Sequence, residues 1–152
     1  MEIRVAKLFD LKALSRLFNQ YRQISVSLDN THNEQDSKDW LEARLKNDEA
    51  TFLIALKDNE MIGFATLYQG FSSISLKKYW VLNDLYVTNS ARGLGVGSKL
   101  LGAIDLYANK TCAKGVELET AVSNKSAQKL YERLGYIENN QYKSYFKATR
   151  YK

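Results

Sequence analysis

Proline is missing altogether from the 152 residues, and cysteine and histidine occur once each, as Cys112 and His32. Without proline there is no fixed φ to break a helix or mark a linker. One thiol cannot close an internal disulfide, and one thiol with one imidazole is too few donors for a histidine and cysteine zinc site. Nor is there an apolar run near the roughly 20 residues that span a bilayer. The opening Met1-Glu2-Ile3-Arg4-Val5 lacks the basic-then-apolar layout of a secretory signal and reads as the start of a strand. These absences point to a cytoplasmic chain that uses neither redox nor metal chemistry.

What is present fits a folded protein. Hydrophobic residues make up 45% and charged residues 26% of the chain, near the averages of soluble domains, which argues against disordered or fibrous structure. A chain this long can bury roughly 68–70% of its unfolded surface in one core. With no repeat, low-complexity tract or linker, residues 1–152 read as a single domain. The net charge of +5 suits nucleic acid, a membrane surface or an anionic cofactor. That charge is unevenly spread. Asp29, Glu34, Asp36, Asp39, Glu42, Asp48 and Glu49 outnumber the bases around them, whereas the tail from Gln141 carries Lys143, Lys147, Arg150 and Lys152 and no acid.

Periodicity gives an element order. Residues 2–7 alternate as a strand, and Asp10 is a candidate N-cap for a helix carrying Leu11, Leu14, Leu17, Phe18 and Tyr21. A second helix is predicted over 36–47, after a polar loop. Runs 51–57 and 61–68 form a hairpin across Asp58-Asn59-Glu60. A loop over 70–78 leads to a long strand at 79–88. Helix follows over 95–114, with Val96, Leu100, Leu101, Ile104 and Tyr107 on one face and Gly115 closing it. Strand is expected at 117–122, helix at 126–134 ending at Gly135, and strands near 136–138 and 142–148. The class is α/β, with a strand meander followed by a helical crossover.

The sharpest signal is Asn83-Asp84-Leu85-Tyr86-Val87-Thr88, then Asn89-Ser90-Ala91, then Arg92-Gly93-Leu94-Gly95-Val96-Gly97-Ser98 opening into a helix. Glycines at such a turn let backbone N–H groups approach an anion, and the helix start adds roughly half a positive charge. The turn can therefore cradle a diphosphate. A dinucleotide fingerprint fails on spacing, since Ser98-Lys99-Leu100 follows Gly97 late in the chain. A nucleotide-triphosphate loop fails on order, since Gly97-Ser98-Lys99 reverses the lysine and hydroxyl residue.

Arg92-x-x-Gly95-x-Gly97 resembles the acetyl-CoA signature of the GNAT superfamily of N-acetyltransferases. Leu82-Asn83-Asp84-Leu85-Tyr86-Val87 is similar to that family's fourth strand. Asn124, Ala127 and Leu130-Tyr131-Glu132-Arg133-Leu134-Gly135-Tyr136 resemble its closing motif. The likeness is specific from about Leu82 to Tyr136 and follows element order elsewhere. It implies a central mixed, mostly antiparallel sheet of about six or seven strands with about four helices, in the order β-α-α-β-β-β-α-β-α-β-β. It also implies transfer of an acetyl group from acetyl-CoA to a primary amine by direct attack in a ternary complex.

By the same resemblance, Leu85, Tyr86 and Val87 meet pantetheine through their main chain, and their side chains also suit the core. Arg92 and Gly93, Leu94, Gly95, Val96, Gly97 and Ser98 surround the diphosphate. Asn124 and Ala127 touch the pantetheine or adenosine side, although Asn124 also suits a helix N-cap. Tyr131 is the candidate catalytic acid for the departing thiolate, and a packed aromatic is the plainer reading. The resemblance also implies a backbone N–H on this strand, that of Leu85, to polarise the thioester carbonyl.

The proton acceptor stays open. Several relatives have glutamate near the position of Asn83, and an amide cannot serve. Strand alternation aims Asp84 at the opposite face, and Glu117, Glu119 or a water relay are other choices. Asp29, Glu34 and Asp36 suit either a cationic acceptor or a solvated face, and His32 is more simply incidental. Cys112 reads as a small buried side chain. The resemblance implies a small amine, a polyamine or a lysine side chain as acceptor. Other readings are an aminoglycoside or drug acetyltransferase, or a silent CoA-binding regulatory module. The basic, aromatic tail favours a homodimer over nucleic-acid binding.

Overall fold

The computed structural model describes residues 1–24 and 33–150. They fall into two compact units, Met1–Glu119 and Thr120–Lys152. None of the described helices is long and apolar enough to cross a membrane.

The first unit carries a five-stranded sheet in the order β1-β2-β3-β4-β5. Strands β1 (Glu2–Val5), β2 (Thr51–Lys57), β3 (Glu60–Ser72) and β4 (Lys77–Val87) pair antiparallel in succession. β5 (Val116–Leu118) returns parallel to β4 after helix α3 (Val96–Lys110), since a parallel neighbour needs a crossover. Helices α1 (Leu11–Ile24) and α2 (Glu34–Lys46) lie between β1 and β2, and α4 (Lys125–Arg133) belongs to the second unit. The α/β class and the four helices are as the sequence predicts.

The strand count is lower than predicted. The runs at 136–138 and 142–148 form no strand, and Ile137, Tyr142, Tyr145 and Phe146 are exposed. Alternation alone does not make a strand when no ladder partner or covering layer stabilises it. β5 is likewise shorter than residues 117–122. The loop predicted over 70–78 shrinks to residues 73–76, because β3 and β4 extend into it.

Local chemistry explains the remaining boundaries. Asp58 and Asn59 take φ of 52° and 63°, the two left-handed residues that let a two-residue turn match the sheet twist. Asn33 and Asp36 cap α2 reciprocally, each side chain accepting from the other's backbone N–H at 3.0 Å. Asp10 lies not at an α1 N-cap but in the 3-10 turn Leu8–Asp10. There its Oδ2 accepts the Lys7 N–H at 2.8 Å, and both carboxylate oxygens accept from Arg4 at 2.8 Å. A buried carboxylate is better satisfied by that fork than by one amide.

α3 stops at Lys110, short of the predicted end at residue 114. Cys112 takes φ of 59° and closes the helix in place of Gly115, with Cys112 N–H on Asn109 O at 3.1 Å and Ala113 N–H on Ala108 O at 3.0 Å. This turn throws the Cys112 side chain outward, so it is exposed rather than buried.

Alternation along the strands sends successive side chains to opposite faces, and both are covered. On one face Leu14, Leu17 and Phe18 of α1 and Leu41 of α2 bury against Phe52, Ile54, Phe64 and Tyr86. On the other, Val96, Leu100, Leu101 and Ile104 of α3 are buried with Leu53, Ala65, Leu67 and Leu82. Each such side chain contributes roughly 1.5–3 kcal/mol on leaving water. Gly63 sets the approach of α3: a Cβ there would lie 2.9 Å from Tyr86 O and 3.4 Å from both Leu100 and Val96.

The second unit is organised by α4. Asn124 Oδ1 accepts the Ala127 N–H at 3.2 Å, and Gln128 Nε2 donates to the carbonyls of Ala121 and Val122 at 3.0 Å each. Gly135, at φ of 96°, ends it.

Candidate functional site

The glycine turn follows β4 directly. A short 3-10 turn, Asn89–Ala91, leads to Arg92 in extended conformation, then Gly93 and Gly95 at φ of 80° and 79°. Two left-handed residues within three positions are open to glycine at no steric cost. Gly95 is the α3 N-cap and offers no side chain to the helix start, whose bond Lys99 N–H to Gly95 O spans 3.1 Å. The N–H groups of Val96, Gly97 and Ser98 therefore lack intrahelical acceptors and point out of the N-terminus with the positive end of the helix dipole. A Cβ on Gly93 or Gly95 would meet nothing within 4 Å, so the mouth of the turn is open. Val96 itself is buried, Leu94 is exposed, and Gly97 and Ser98 are half-buried.

Arg92 folds back on the strand it follows. Its Nε donates to Val87 O at 3.1 Å and its guanidinium lies 5.8 Å from the centre of the Tyr86 ring. This anchors the turn and keeps a fixed positive charge beside the helix mouth.

β4 and β5 pair at only three positions, Trp80 with Val116, Val81 with Glu117 and Leu82 with Leu118. β4 continues to Val87 along β3 without β5 beside it. The reach of the ladder is set at a bulge: Thr66 faces Asp84 and Leu67 faces Leu82, which leaves Asn83 as the extra residue. Beyond it, Thr88 N–H donates to Ile62 O of β3 at 2.9 Å. Backbone alternation then turns Tyr86 towards β3 and turns the N–H and C=O groups of Leu85 and Val87 to the open side.

The same bulge brings the side chains of Asn83 and Asp84 together. Alternation would aim Asn83 and Asp84 at opposite faces, yet Asn83 Nδ2 donates to Asp84 Oδ1 at 3.3 Å and reaches Tyr68 Oη at 3.5 Å. Asp84 pairs with Thr66 and Tyr86 with Phe64, so both lie on the face covered by α1. Tyr86 Oη donates to Gln20 Oε1 at 3.3 Å. Burial first, and the charge of Asp84 second, push the Tyr68 phenol up to about 12, against an opposing pull from Arg44. Sequence reasoning does not single out Tyr68; the one available signal is two successive polar residues, Asn83 and Asp84, inside an apolar strand.

The remaining candidates lie on other elements. Asn124 and Ala127 form the α4 N-cap pair, and Tyr131 lies half-buried on that helix, where burial raises its phenol pKa. Glu117 and Glu119 are exposed, Asp36 caps α2, and Asp29 and His32 lie outside the described residues. A cavity of about 460 Å³ lined by Tyr79, Lys114 and Glu117 opens where β4 and β5 begin, at the other end of these strands from the unpaired edge. Size does not make it the site, because the open amides are not there.

A glycine turn, a parted strand pair and a helix N-terminus now have a family to match. The model of the acetyltransferase (GNAT) family fits residues 11–136. The chain belongs to the GNAT acetyltransferase family. An uncharacterised N-acetyltransferase, YhfO of Bacillus subtilis (strain 168), is 42% identical over 145 residues, 95% of each chain. The crystal structure of a probable acetyltransferase superposes with a TM-score of 0.90 at 37% identity, covering 100% of both chains. The aminoglycoside N-acetyltransferase AAC(6')-Iy, in complex with CoA, shares the fold with a TM-score of 0.78 at 22% identity, over 98% of this chain and 94% of that one.

The protein is thus an acetyl-CoA-dependent N-acetyltransferase. Its own geometry fits that co-substrate: three open amides and Arg92 suit a diphosphate, and the main-chain N–H and C=O of Leu85 and the N–H of Val87, whose carbonyl Arg92 occupies, suit the amides of pantetheine.

Proposed function

We propose that this acetyltransferase transfers the acetyl group directly to the primary amine of a small amine, a polyamine or a lysine side chain, within a ternary complex and without an acyl-enzyme. The observation that carries this reading is the open edge of β4 running on to the α3 N-terminus, a track for an extended chain ending in a diphosphate. Acetyl-CoA supplies the acetyl group as an activated thioester.

The chain's own groups then have assignable work. Arg92 and the amides from Gly93 to Ser98 hold the diphosphate, with the Ser98 hydroxyl adding a donor. Leu85 and Val87, with Tyr86 between them, align pantetheine, and the Leu85 N–H polarises the thioester carbonyl. Asn124 and Ala127 contribute at the start of α4. Tyr131, kept protonated by burial, is the proton donor to the leaving sulfur. A water relay removes the proton of the amine, and orientation supplies an effective molarity on the order of 10⁵ M or more. We place residues 1–152 in the cytoplasm as one catalytic domain, paired as a homodimer through the exposed aromatics of the tail, Tyr142, Tyr145 and Phe146.

The test is release of free thiol from acetyl-CoA across a panel of amines, alongside calorimetric titration with CoA. Turnover with any amine above the hydrolytic background supports transfer. Asn83, exposed at the bulge as an amide rather than an acid, favours a second reading as a silent CoA-binding module. CoA binding without thiol release on every amine of the panel selects that reading.

A further inference from the structure

Gly115 is a glycine that its own backbone does not require. Its φ lies outside the left-handed region, a Cβ there would meet nothing within 4 Å, and the stop of α3 falls to Cys112 instead. The space it leaves free belongs to the cavity of about 460 Å³ where β4 and β5 begin. Trp80 packs against Tyr107 of α3 with ring centres 5.2 Å apart, so alternation puts Tyr79 on the face away from that helix. Trp80 pairs with Val116, which puts Gly115 and Glu117 on the same face as Tyr79. The Trp80 N–H donates to Gly115 O at 3.0 Å and fixes this first rung of the strand pair.

The lining is divided in its chemistry. Lys114 Nζ donates to Ser75 Oγ at 2.6 Å, which ties the ammonium to the turn between β3 and β4 and leaves it two further donors. Glu117 is exposed, and among the described residues neither it nor Lys114 is in an ion pair. Two opposite charges thus share one cavity without meeting. Phe71 and Ile74, 74% and 93% exposed, add an apolar wall. Tyr79 adds a fixed aromatic one, since its ring lies over Gly70, where any Cβ would run into it. A plain anion would be repelled by Glu117 and a plain amine by Lys114. A compact molecule that carries a carboxylate, an ammonium and an apolar group satisfies all three kinds of lining, and the volume is that of a small-molecule pocket.

We infer that this cavity binds a free α-amino acid with an apolar side chain, its carboxylate at Lys114, its ammonium at Glu117 and its side chain against Phe71, Ile74 and Tyr79. The site is separate from the donor track, because the unpaired edge of β4 and the start of α3 lie at the other end of these strands. It does not depend on the acetyl-transfer reading.

The probes are L-phenylalanine, 3-phenylpropanoate and 2-phenylethylamine, which share a phenyl group and carry both charges, the negative one or the positive one. They are titrated into CoA-loaded, ¹⁵N-labelled protein and followed through the amide shifts of Gly115 and Glu117, which report this cavity. L-phenylalanine shifts these amides saturably and binds about 3-fold or more tighter than either analogue. Gly115→Leu puts a side chain into the open space and weakens L-phenylalanine by about 10-fold or more, read at Glu117. Lys114→Met and Glu117→Gln each weaken it by about 2- to 5-fold. CoA affinity, measured separately on each variant, reports that the fold persists. No shift in wild-type protein, analogues that bind as tightly as L-phenylalanine, or Gly115→Leu with undiminished affinity overturns the inference. If Gly115→Leu does not fold, the two exposed charge variants decide: a loss in both supports the inference and an unchanged affinity in either overturns it. Failure of CoA itself to bind would instead strike at the acetyl-transfer reading.

Discussion

The backbone N–H of Tyr136 donates to the carbonyl of Tyr131 at 3.0 Å, and the two rings meet edge to face with centres 5.7 Å apart. With Gly135 N–H on Glu132 O at 3.1 Å, these bonds make the glycine-terminated helix end in which the residue past the glycine packs back on the last turn. The turn that stops α4 therefore also fixes the ring of Tyr131, the candidate proton donor. Tyr131→Phe keeps this ring contact and removes only the hydroxyl. Turnover should fall about 100-fold or more while the melting temperature and CoA affinity hold. Unchanged turnover would remove Tyr131 from the mechanism.

Gly95 separates ligand binding from folding. At φ of 79° any side chain costs roughly 1–2 kcal/mol of backbone strain, and the added Cβ would meet no protein atom within 4 Å. Gly95→Ala should therefore destabilise the fold by about 1 kcal/mol, read by urea unfolding. It should weaken CoA by a larger factor, because the new methyl stands in the open mouth of the turn. Equal CoA affinity in wild type and variant would show that the diphosphate sits elsewhere.

Much of this was legible in the chain, and what was not has a common physical cause. Arg92 to Ser98 declare their turn locally, through glycines whose conformation no neighbour needs to impose. The Asp58-Asn59 hairpin is equally local. The bulge at Asn83 is not, because it is a mismatch of count between two strands and exists only once Leu67 has met Leu82 and Thr66 has met Asp84. Reading β4 alone, alternation puts Asn83 and Asp84 on opposite faces and gives no sign that their side chains meet. The predicted end of α3 at residue 114 fails for a related reason, since Gly115 looked like the stop while Cys112 takes the left-handed turn.

Acid should find the Arg4–Asp10 pair. The hydrogen bond from Arg4 holds the Asp10 carboxyl below the ordinary carboxylate range, aided by the Lys7 N–H and opposed by burial. A folded-state pKa below the unfolded one, about 3.9, makes its stabilisation complete above that pH and lost as pH falls through the folded value. Unfolding free energy should thus decline below about pH 4, and Asp10→Asn should flatten that decline. At pH 7 the substitution should cost about 1.5–3 kcal/mol, since it weakens a charged fork of hydrogen bonds. Matching urea midpoints at pH 7 would count against the pair as a support of the first unit.

Cys112 offers the opposite kind of change. It sits just past the C-cap of α3 at φ of 59°, where an L side chain is strained and glycine is not. Its thiol is exposed, so removal leaves no cavity. Cys112→Gly keeps both closing hydrogen bonds, Cys112 N–H to Asn109 O and Ala113 N–H to Ala108 O, because both use main-chain groups. The relief of strain should exceed the entropy that glycine adds to the unfolded chain, giving a net gain of about 0.5–1 kcal/mol. Thermal unfolding under reducing conditions should show a rise in midpoint, whereas a fall would mean that the thiol makes a contact worth more than the strain it imposes.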